Sequence, residues 1–404
     1  MAYRPANETS KRDDESIGRT THRRWKTAIV GGGAAGFFCA INLGAMCHDM
    51  EITIFEQGHK VLRKVEVSGG GRCNCTNTFR DVTDLSQVYP RGSRLMKRLF
   101  RKFGPHDAYK WFEDHGVPLT VQDDQCVFPE AQDSHAIISC FLNEAHKLGI
   151  KIQINTKISD PSALFTDFDY VVVTTGGQPR EGVPSLFSLS IDDNELHNLM
   201  GIVVEHAIAS IPSTKFRASG PLLITHWGMS GPVILKLSSY AARHLADSGY
   251  KSPLAVSWIG TVNADDTRTR LVQQLDTNSG RMITNLHPFA LQAKLWEYLV
   301  TKANLKTRRC NEIGKKQINR LVELLTNDTF TITGRGPYKD EFVTCGGIPL
   351  DSIEQDTLES RNTPHLYYAG EVLDIDGITG GFNFQAAWTT AWTVASGIAK
   401  TDRH

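Results

Sequence analysis

Three glycines, Gly31, Gly33 and Gly36, follow the pattern G-x-G-x-x-G and are the residues best placed to bind a phosphate. The first glycine allows a tight turn, the second lets the backbone approach a pyrophosphate, and the third lets a helix pack closely on a strand. Free N–H groups at the start of that helix then face the phosphate charge. The pattern therefore predicts a dinucleotide site.

A carboxylate follows the glycines at the spacing that such a site requires. Glu56 lies 20 residues after Gly36, at the end of the next apolar run. Its oxygens can accept hydrogen bonds from the ribose hydroxyls of an adenosine, and its charge disfavours a 2′-phosphate. The neighbouring Gln57 is a further candidate contact. The alternative interpretation of Glu56 is a solvated strand end.

The C-terminal part of the chain favours FAD over NAD. Residues 363–369 read as an apolar strand that delivers Gly370 and Glu371, and in FAD enzymes such a strand brings an acid to the ribityl hydroxyls, which NAD lacks. The start of the closing helix can face the carbonyl oxygens of the isoalloxazine ring. The candidate contacts that follow are Asp376, Gly381, Phe382 and Asn383. Thr175 and Gly176, at the end of another apolar run, are also included.

A second glycine-rich loop lies at residues 68–77, just after the ribose-binding strand. Successive glycines allow backbone N–H groups to form an anion-binding nest. Arg72 could pair with a phosphate, or stabilise the reduced flavin from its N1 side. A plain flexible loop is the alternative. The candidate contacts in this loop are Ser68, Gly69, Gly70, Gly71, Arg72 and Asn74.

Candidates for the chemical step are few. His226 could donate a proton to the reaction, although a single histidine in an apolar strand is more often structural. Cys73, beside Arg72, could be a thiolate of low pKa, with a structural thiol as the alternative. Tyr338 and Lys339 could line a substrate pocket or simply form a loop.

The elements that position these residues follow from hydrophobic periodicity. A strand at 26–30, a helix at 37–45 and a strand at 51–55 form a strand–helix–strand unit. Further predicted helices cover 94–116, 134–148, 302–325 and 384–398, and further predicted strands cover 151–154, 169–174, 222–225, 254–261 and 366–369. The expected fold class is α/β, with a Rossmann-like FAD domain that is discontinuous in sequence and an inserted domain that is β-rich plus helical. We place the FAD domain at 26–190 and 342–404, the inserted substrate or cap domain at 191–341, and a flexible tail at 1–25.

Composition limits the remaining function classes. The 404 residues carry 44 basic and 44 acidic side chains, so no global field attracts a nucleic acid or an anionic membrane. No apolar run is long enough to span a bilayer, and residues 1–25 lack the apolar core of a secretory signal. Eight scattered cysteines fit a reducing cytosol, and the C-x-C pair lacks the second pair of a zinc site. We expect a soluble cytoplasmic protein without metal, and the composition leaves its oligomeric state open.

The motifs together resemble those of a bacterial family of FAD-dependent oxidoreductases. This family has a glutathione-reductase-like FAD domain and an inserted domain, and it includes aminoacetone oxidase and a flavoprotein associated with bile-acid dehydroxylation. The matching segments are GGGAAG at 31–36, SGGGRCNCTN at 68–77, THWGMSGP at 225–232 and AGEVLDIDGITGGFNFQAA at 369–387. The resemblance implies FAD contacts also at Ala35 and at Ile158, whose backbone would cover the adenine. It departs after Gly177, where the family carries a longer stretch rich in glycine and threonine.

The predicted activity is hydride transfer between a small organic substrate and N5 of the flavin. An oxidase and an enzyme that uses NADH or NADPH as a transient reductant both remain open, although no second dinucleotide motif is visible. The alternative is a flavin-binding accessory protein related to RNA modification, without independent redox turnover, because function does not follow from fold.

Overall fold

The computed structural model describes residues 24–177, 182–337 and 343–401. Its strands are β1 Lys26–Val30, β2 Glu51–Phe55, β3 Thr76–Asn77, β4 Leu119–Val121, β5 Cys126–Pro129, β6 Lys151–Gln153, β7 Tyr170–Val173, β8 Val183–Ser185, β9 Leu189–Ile191, β10 Val203–Ser210, β11 Arg217–Thr225, β12 Gly228–Ser230, β13 Ser252–Ser257, β14 Asp328–Arg335, β15 Val343–Cys345 and β16 Leu366–Tyr368. Its helices are α1 Ala34–Met46, α2 Arg63–Gly71, α3 Ser93–Leu99, α4 Pro105–Asp114, α5 His135–Lys147, α6 Asn194–His197, α7 Pro232–Tyr240, α8 Ala242–Asp247, α9 Ala264–Thr277, α10 Ala293–Lys302, α11 Lys315–Asn327 and α12 Phe382–Thr401.

A five-stranded parallel sheet with strand order β16-β7-β1-β2-β6 positions the glycine motif. β7 is buried along its whole length, as its continuous apolar sequence predicts for a strand covered on both faces. Helix α1 follows β1 and packs against the long C-terminal helix α12, so both ends of the chain form one unit. This arrangement confirms the predicted Rossmann-like α/β class.

The β-rich insertion forms a closed barrel with strand order β10-β11-β12-β9-β14-β13. Strand β14 alternates buried and exposed residues through Ile332, which is the pattern of a strand with one face in a barrel core. Helices α9 and α11 pack on each other outside the barrel. The predicted insertion starts at 191, whereas β9 already begins at Leu189; the domain limits otherwise stay a prediction.

The chain passes between the sheet and the barrel through two short strands. Strand β8 leads into the barrel and pairs antiparallel with β15, which follows the last barrel strand. We call this two-stranded sheet the neck. Because both crossings lie side by side, the orientation of the barrel over the parallel sheet depends on what holds the neck.

Three predicted elements were wrong in extent. The helix predicted at 94–116 is α3 and α4, because Pro105 lacks an N–H and begins a new helix after Gly104. The helix predicted at 302–325 is the end of α10 followed by α11, with a connection over 303–314. The strand predicted at 254–261 ends at Ser257, three residues before Gly260 takes a positive φ.

The buried residues form two hydrophobic clusters, one in the sheet region and one in the barrel region. Trp388 of α12 centres the first, and its ring contacts Phe38, Phe112 and Phe141 at centroid distances of 5.1, 5.5 and 5.6 Å. The aromatic residues of 94–116 therefore lie in or against the core. All eight cysteines are buried and free of disulfides. None of the helices in the described ranges is long and apolar enough to cross a membrane.

Candidate cofactor site

The three motif glycines divide into two that pack and one that leaves space. A Cβ on Gly31 would lie 2.5 Å from the carbonyl oxygen of Thr174, and a Cβ on Gly36 would lie 2.0 Å from that of Gly31. These two positions therefore hold β1, β7 and α1 in close contact. A Cβ on Gly33 would meet no protein atom within 4 Å. The open space beside Gly33 is where the motif predicts a pyrophosphate.

The start of α1 can bind an anion. Gly33 is the N-cap, its backbone is extended, and no side chain caps the first turn. The first turn of α1 contains no acidic side chain that would repel a phosphate. Free N–H groups and the helix dipole then favour negative charge at this point. Ala35, another predicted contact, is buried in that turn.

The Glu56 carboxylate is held in place by the backbone around it. Gly32 N donates to one oxygen at 2.9 Å, and Gly58 N donates to the other at 2.7 Å. Glu56 itself is half-buried, so its remaining lone pairs can face a ligand. The orientation fits a ribose-binding acid better than a solvated strand end. Gln57 is exposed beside it, and Ile158 is half-buried in the segment after β6.

The second glycine loop is the end of α2 rather than a free loop. Ser68 leaves helical geometry, and Gly69, Gly70 and Gly71 take positive φ values of 57°, 69° and 85°. A Cβ on Gly70 or on Gly71 would meet nothing within 4 Å, so the backbone is open to a ligand. Successive residues of this kind can form the predicted anion nest.

Arg72 is turned back onto its own loop. Its Nε donates to Gly69 O at 3.2 Å, its Nη1 donates to Gln132 Oε1 at 3.2 Å, and its guanidinium lies 4.4 Å from the centre of the Phe128 ring. These contacts give Arg72 a structural task in shaping the nest. A direct contact with a phosphate or with flavin N1 stays a prediction.

The loop before α12 meets the second glycine loop. A Cβ on Gly381 would lie 2.2 Å from Thr76 O, which only glycine avoids. The side-chain amide of Asn74, oriented to satisfy its neighbours, donates to Thr76 O at 2.9 Å and accepts from Gly381 N at 3.2 Å. Asn383 exchanges two hydrogen bonds with the backbone of Gly377, and Phe382 is buried at the start of α12.

Glu371 forms an ion pair that the sequence analysis missed. Lys64 Nζ lies 2.6 Å from Glu371 Oε2, and Thr344 N donates to Glu371 Oε1 at 2.9 Å. A Cβ on Gly176 would lie 3.6 Å from Glu371 Oε2 and 3.9 Å from Lys64 Nζ, so this pair borders the predicted contact at Gly176. The exposed Thr175 precedes it. Lys64 and Glu371 are 307 residues apart, so the sequence offered no signal of this pair.

Burial gives two candidate residues a different setting from the one expected. Asp376 is fully buried and its carboxylate is paired with Arg91, and its contact with FAD stays a prediction. Cys73 is fully buried, and burial raises the pKa of its thiol to about 12, whereas a hydrogen bond with Ser68 opposes the rise. The predicted thiolate of low pKa is therefore wrong, because a buried site without a cation disfavours the charged form.

His226 lies in the turn between β11 and β12, exposed to solvent, with its ring edge-on to Trp227 at 4.4 Å between centroids. A Cβ on Gly336 would lie 2.9 Å from Trp227 Nε1, so this turn is beside the chain that returns toward the neck. Its catalytic role stays a prediction. Tyr338, Lys339 and the start of the divergent segment at 178–181 lie outside the described residues. Within those residues, no three histidine, cysteine or acidic side chains are grouped to hold a metal ion.

The residues of the candidate site fit a flavin dinucleotide such as FAD. They offer open space at Gly33, an oriented acid at Glu56, an open glycine backbone at 70–71 and a positive group at Lys64. The contacts of individual residues with FAD stay predictions.

Comparisons with known proteins give a family and several relatives. The family model described as "HI0933-like protein Rossmann domain" matches residues 25–397. The chain is 25% identical over 410 residues to the ribosomal RNA dihydrouridine synthase of Escherichia coli (strain K12), covering 93% of this chain and 98% of that protein. It is 23% identical to the 3-dehydro-bile acid delta(4,6)-reductase of Clostridium scindens (strain ATCC 35704 / DSM 5676 / VPI 13733 / 19), covering 93% and 99%. A crystal structure of 3-ketosteroid delta1-dehydrogenase from Sterolibacterium denitrificans aligns with a TM-score of 0.44 at 11% identity, covering 93% and 99%.

Proposed function

This chain belongs to the HI0933-like family and is an FAD-dependent oxidoreductase, and from that premise we propose that it reduces a carbon–carbon double bond conjugated to a carbonyl group. The cofactor site at the carboxyl ends of β1 and β7 is the observation that carries the proposal. The oriented Glu56 carboxylate and the open space at Gly33 suit one dinucleotide. Open α/β sheets bind their ligands at these strand ends.

The direction of the reaction is inferred from the named relatives. One relative is named for making dihydrouridine, and another is named for reducing a bile acid at its delta(4,6) positions. Both names describe hydrogen added across an unsaturated carbon framework next to a carbonyl group. A reductase also needs an electron donor, and we propose NADH or NADPH as a transient reductant.

When bound, FAD supplies the atom that exchanges hydride with the substrate. The protein's own residues bind and orient the cofactor. Glu56 would hold the adenosine ribose, the first turn of α1 would hold the pyrophosphate, and the start of α12 would stabilise the ring carbonyl oxygens. His226 is the proposed proton donor to the second carbon of the double bond, approaching from the barrel. The alternative of an accessory protein without redox turnover is not retained, because the chain is an oxidoreductase.

The favoured substrate is a small enone, and uridine in ribosomal RNA is the second candidate. A full-length relative named as an rRNA dihydrouridine synthase supports the second candidate. Helix α3 and the turn after it also expose basic side chains at i, i+3, i+4 and i+7, namely Arg94, Lys97, Arg98 and Arg101. Asp356 pairs with Arg98, and the net charge of the chain is zero, so this basic face is modest.

An anaerobic experiment separates the candidates. The flavin of the purified protein is reduced with NADH or NADPH, and a steroid dienone, a simple cyclic enone or unmodified ribosomal RNA is then mixed in. Return of the oxidised flavin spectrum without air identifies the acceptor. Reoxidation by neither an enone nor RNA, together with rapid reoxidation by air, would overturn the reductase and indicate an oxidase.

A further inference from the structure

A buried ion pair lies beside the neck. Nε of Arg91 donates to Oδ1 of Asp376, and its Nη2 donates to Oδ2, so the contact is bidentate. The Asp376 side chain is fully buried, and that of Arg91 is 14% exposed. Ser185, in neck strand β8, donates to Asp376 Oδ2 at 3.3 Å. The pair therefore connects the loop before α12 with one of the two chain crossings.

The same guanidinium also binds the barrel region. Nη1 and Nη2 of Arg91 each lie 3.0 Å from the carbonyl oxygen of Ser239, in the last turn of α7. A cation is favoured at the C-terminal end of a helix. Helix α7 packs on barrel strand β11. The Arg91 side chain thus contacts the loop before α12 and the barrel helix α7, and its partner Asp376 contacts the neck.

Two further contacts join the same surfaces at more exposed positions. Arg243 Nη2 lies 3.0 Å from Asp374 Oδ2, and Tyr240 OH donates to Gln87 O at 2.9 Å. The Arg243 side chain is 59% exposed, so water screens that pair. Cys345 of neck strand β15 is buried, with Arg91 and Arg243 close enough to act on its charge. The strongest link across the neck is therefore the buried one.

We propose that Arg91 is the positioning residue that fixes the orientation of the barrel over the cofactor site. Asp376 stands five residues before Gly381, so the contact also fixes the loop that leads into the start of α12. Burial raises the pKa of Asp376, and Arg91 opposes this rise. Removal of Arg91 would therefore leave a carboxyl group that favours its neutral form. The link from Asp376 to the barrel helix, which runs through Arg91, would be lost as well. The inference deepens the proposed function, on which its turnover readout rests, but its distance readout is independent of any substrate.

Distance measurement between the two parts tests the proposal directly. Spin labels are placed at Leu142→Cys on α5 and Val262→Cys beside the barrel, because both positions are exposed and the eight natural cysteines are buried. The holoprotein is compared with Arg91→Met, Arg91→Lys and Asp376→Asn, and with Arg243→Met as the matched exposed pair. FAD retention and thermal unfolding are recorded for every variant.

We expect a single narrow distance distribution in the parent and in Arg243→Met. Arg91→Met and Asp376→Asn broaden it while FAD stays bound, and Arg91→Lys, which keeps the charge but loses the two-pronged contact, gives an intermediate result. Once a substrate is known, turnover in Arg91→Met falls by about 10- to 100-fold, because misplacement of about 1 Å costs this much. If Arg91→Met does not fold, Arg91→Lys and Asp376→Asn carry the test. An unchanged distribution in variants that retain FAD would overturn the proposal.

Discussion

Gly33 differs from the other motif glycines because its side of the turn faces space instead of protein. Its φ of −93° is open to any residue, so a larger side chain there is not strained by the backbone. Gly31, by contrast, has a φ of 118° and would place a Cβ against Thr174. A substitution at Gly33 therefore tests occupation of the site, whereas one at Gly31 would test folding.

The first prediction uses this difference. Gly33→Val is expected to fold like the parent but to retain less than about a tenth of its FAD, because the side chain fills the pyrophosphate position. Gly280→Val is the matched control, since its Cβ also meets nothing within 4 Å and it lies in the barrel region, after α9. The flavin content of purified protein is the measurement. A Gly33→Val protein with full flavin content would refute the cofactor position.

The second prediction concerns the Glu56 carboxylate. Glu56→Gln keeps the shape of the side chain but replaces one of the two accepting oxygens with an NH2 group. The remaining oxygen can replace only one of the two contacts with Gly32 N and Gly58 N. We expect FAD affinity to fall by about tenfold to 100-fold, the effect of losing one charge-assisted hydrogen bond of about 1.5–3 kcal/mol. Titration of the apoprotein with FAD, followed by flavin fluorescence, gives the affinity. An FAD affinity equal to that of the parent would favour the alternative interpretation, in which Glu56 is a solvated strand end.

The third prediction follows from the raised pKa of Cys73. With a pKa of about 12, only about one thiol in ten thousand is ionised near pH 8, and the thiol is fully buried. A thiol reagent at about pH 8 should leave Cys73 unmodified in the native protein and modify it after unfolding, as measured by peptide mass spectrometry. Rapid labelling of native Cys73 would restore the thiolate hypothesis.

At the scale of elements, the barrel region contains its own buried ion pair between a helix and a strand. Lys302, at the end of α10, lies 2.7 Å from Asp328 Oδ1 at the start of β14, and Trp258 Nε1 donates to Asp328 Oδ2 at 3.2 Å. The Asp328 side chain is 1% exposed. Burial raises the pKa of Asp328, and Lys302 opposes the rise. The pair holds the end of α10 against β14, because the buried Asp328 carboxylate cannot reach bulk water, whereas the Lys302 side chain is 25% exposed.

The fourth prediction compares this pair with an exposed one on the same helix. Lys302→Met leaves the buried Asp328 carboxylate without its cation and is expected to lower the free energy of unfolding by about 3–5 kcal/mol. Lys306→Met removes the exposed partner of Glu297 and should cost about 1 kcal/mol or less. Urea unfolding of both variants measures the difference. An equal loss of unfolding free energy in the two variants would show that the Asp328 carboxylate is solvated.

At the scale of the whole molecule, two hydrophobic clusters share one chain and are joined through the neck. The first contains α1, β1 and α12, whose ends carry candidate cofactor contacts from distant parts of the sequence. The second fills the barrel and its helices. Cofactor binding should therefore stabilise the two parts unequally, because a ligand stabilises only the structure to which it binds.

The fifth prediction is a regional pattern of hydrogen exchange. Addition of FAD to the apoprotein should increase protection in peptides from α1, β2 and α12, and leave peptides from α10 and α11 nearly unchanged. The Gly33→Val variant, with FAD added, is the control for nonspecific effects. Equal protection of the barrel helices would mean that the two clusters unfold as one unit.

The sequence by itself determined the parts of this protein whose chemistry is local. A dinucleotide unit could be predicted from the glycine spacing, the apolar strand at 51–55 and Glu56. The turn, the strand and the acid at its end all lie within about thirty residues. The strand at 169–174 was predicted from a similarly local pattern, because a continuous apolar run indicates a buried strand.

The tertiary structure decided what long-range contacts control. The buried partner of Asp376 is Arg91, 285 residues away in sequence, and the partner of Glu371 is Lys64, 307 residues away. The C-x-C segment is likewise held by distant segments, since Cys75 bonds to Val127 and Trp388, while burial raises the pKa of Cys73. Spacing along the chain carries no information on such pairs, because charge pairing and desolvation depend on distance in space.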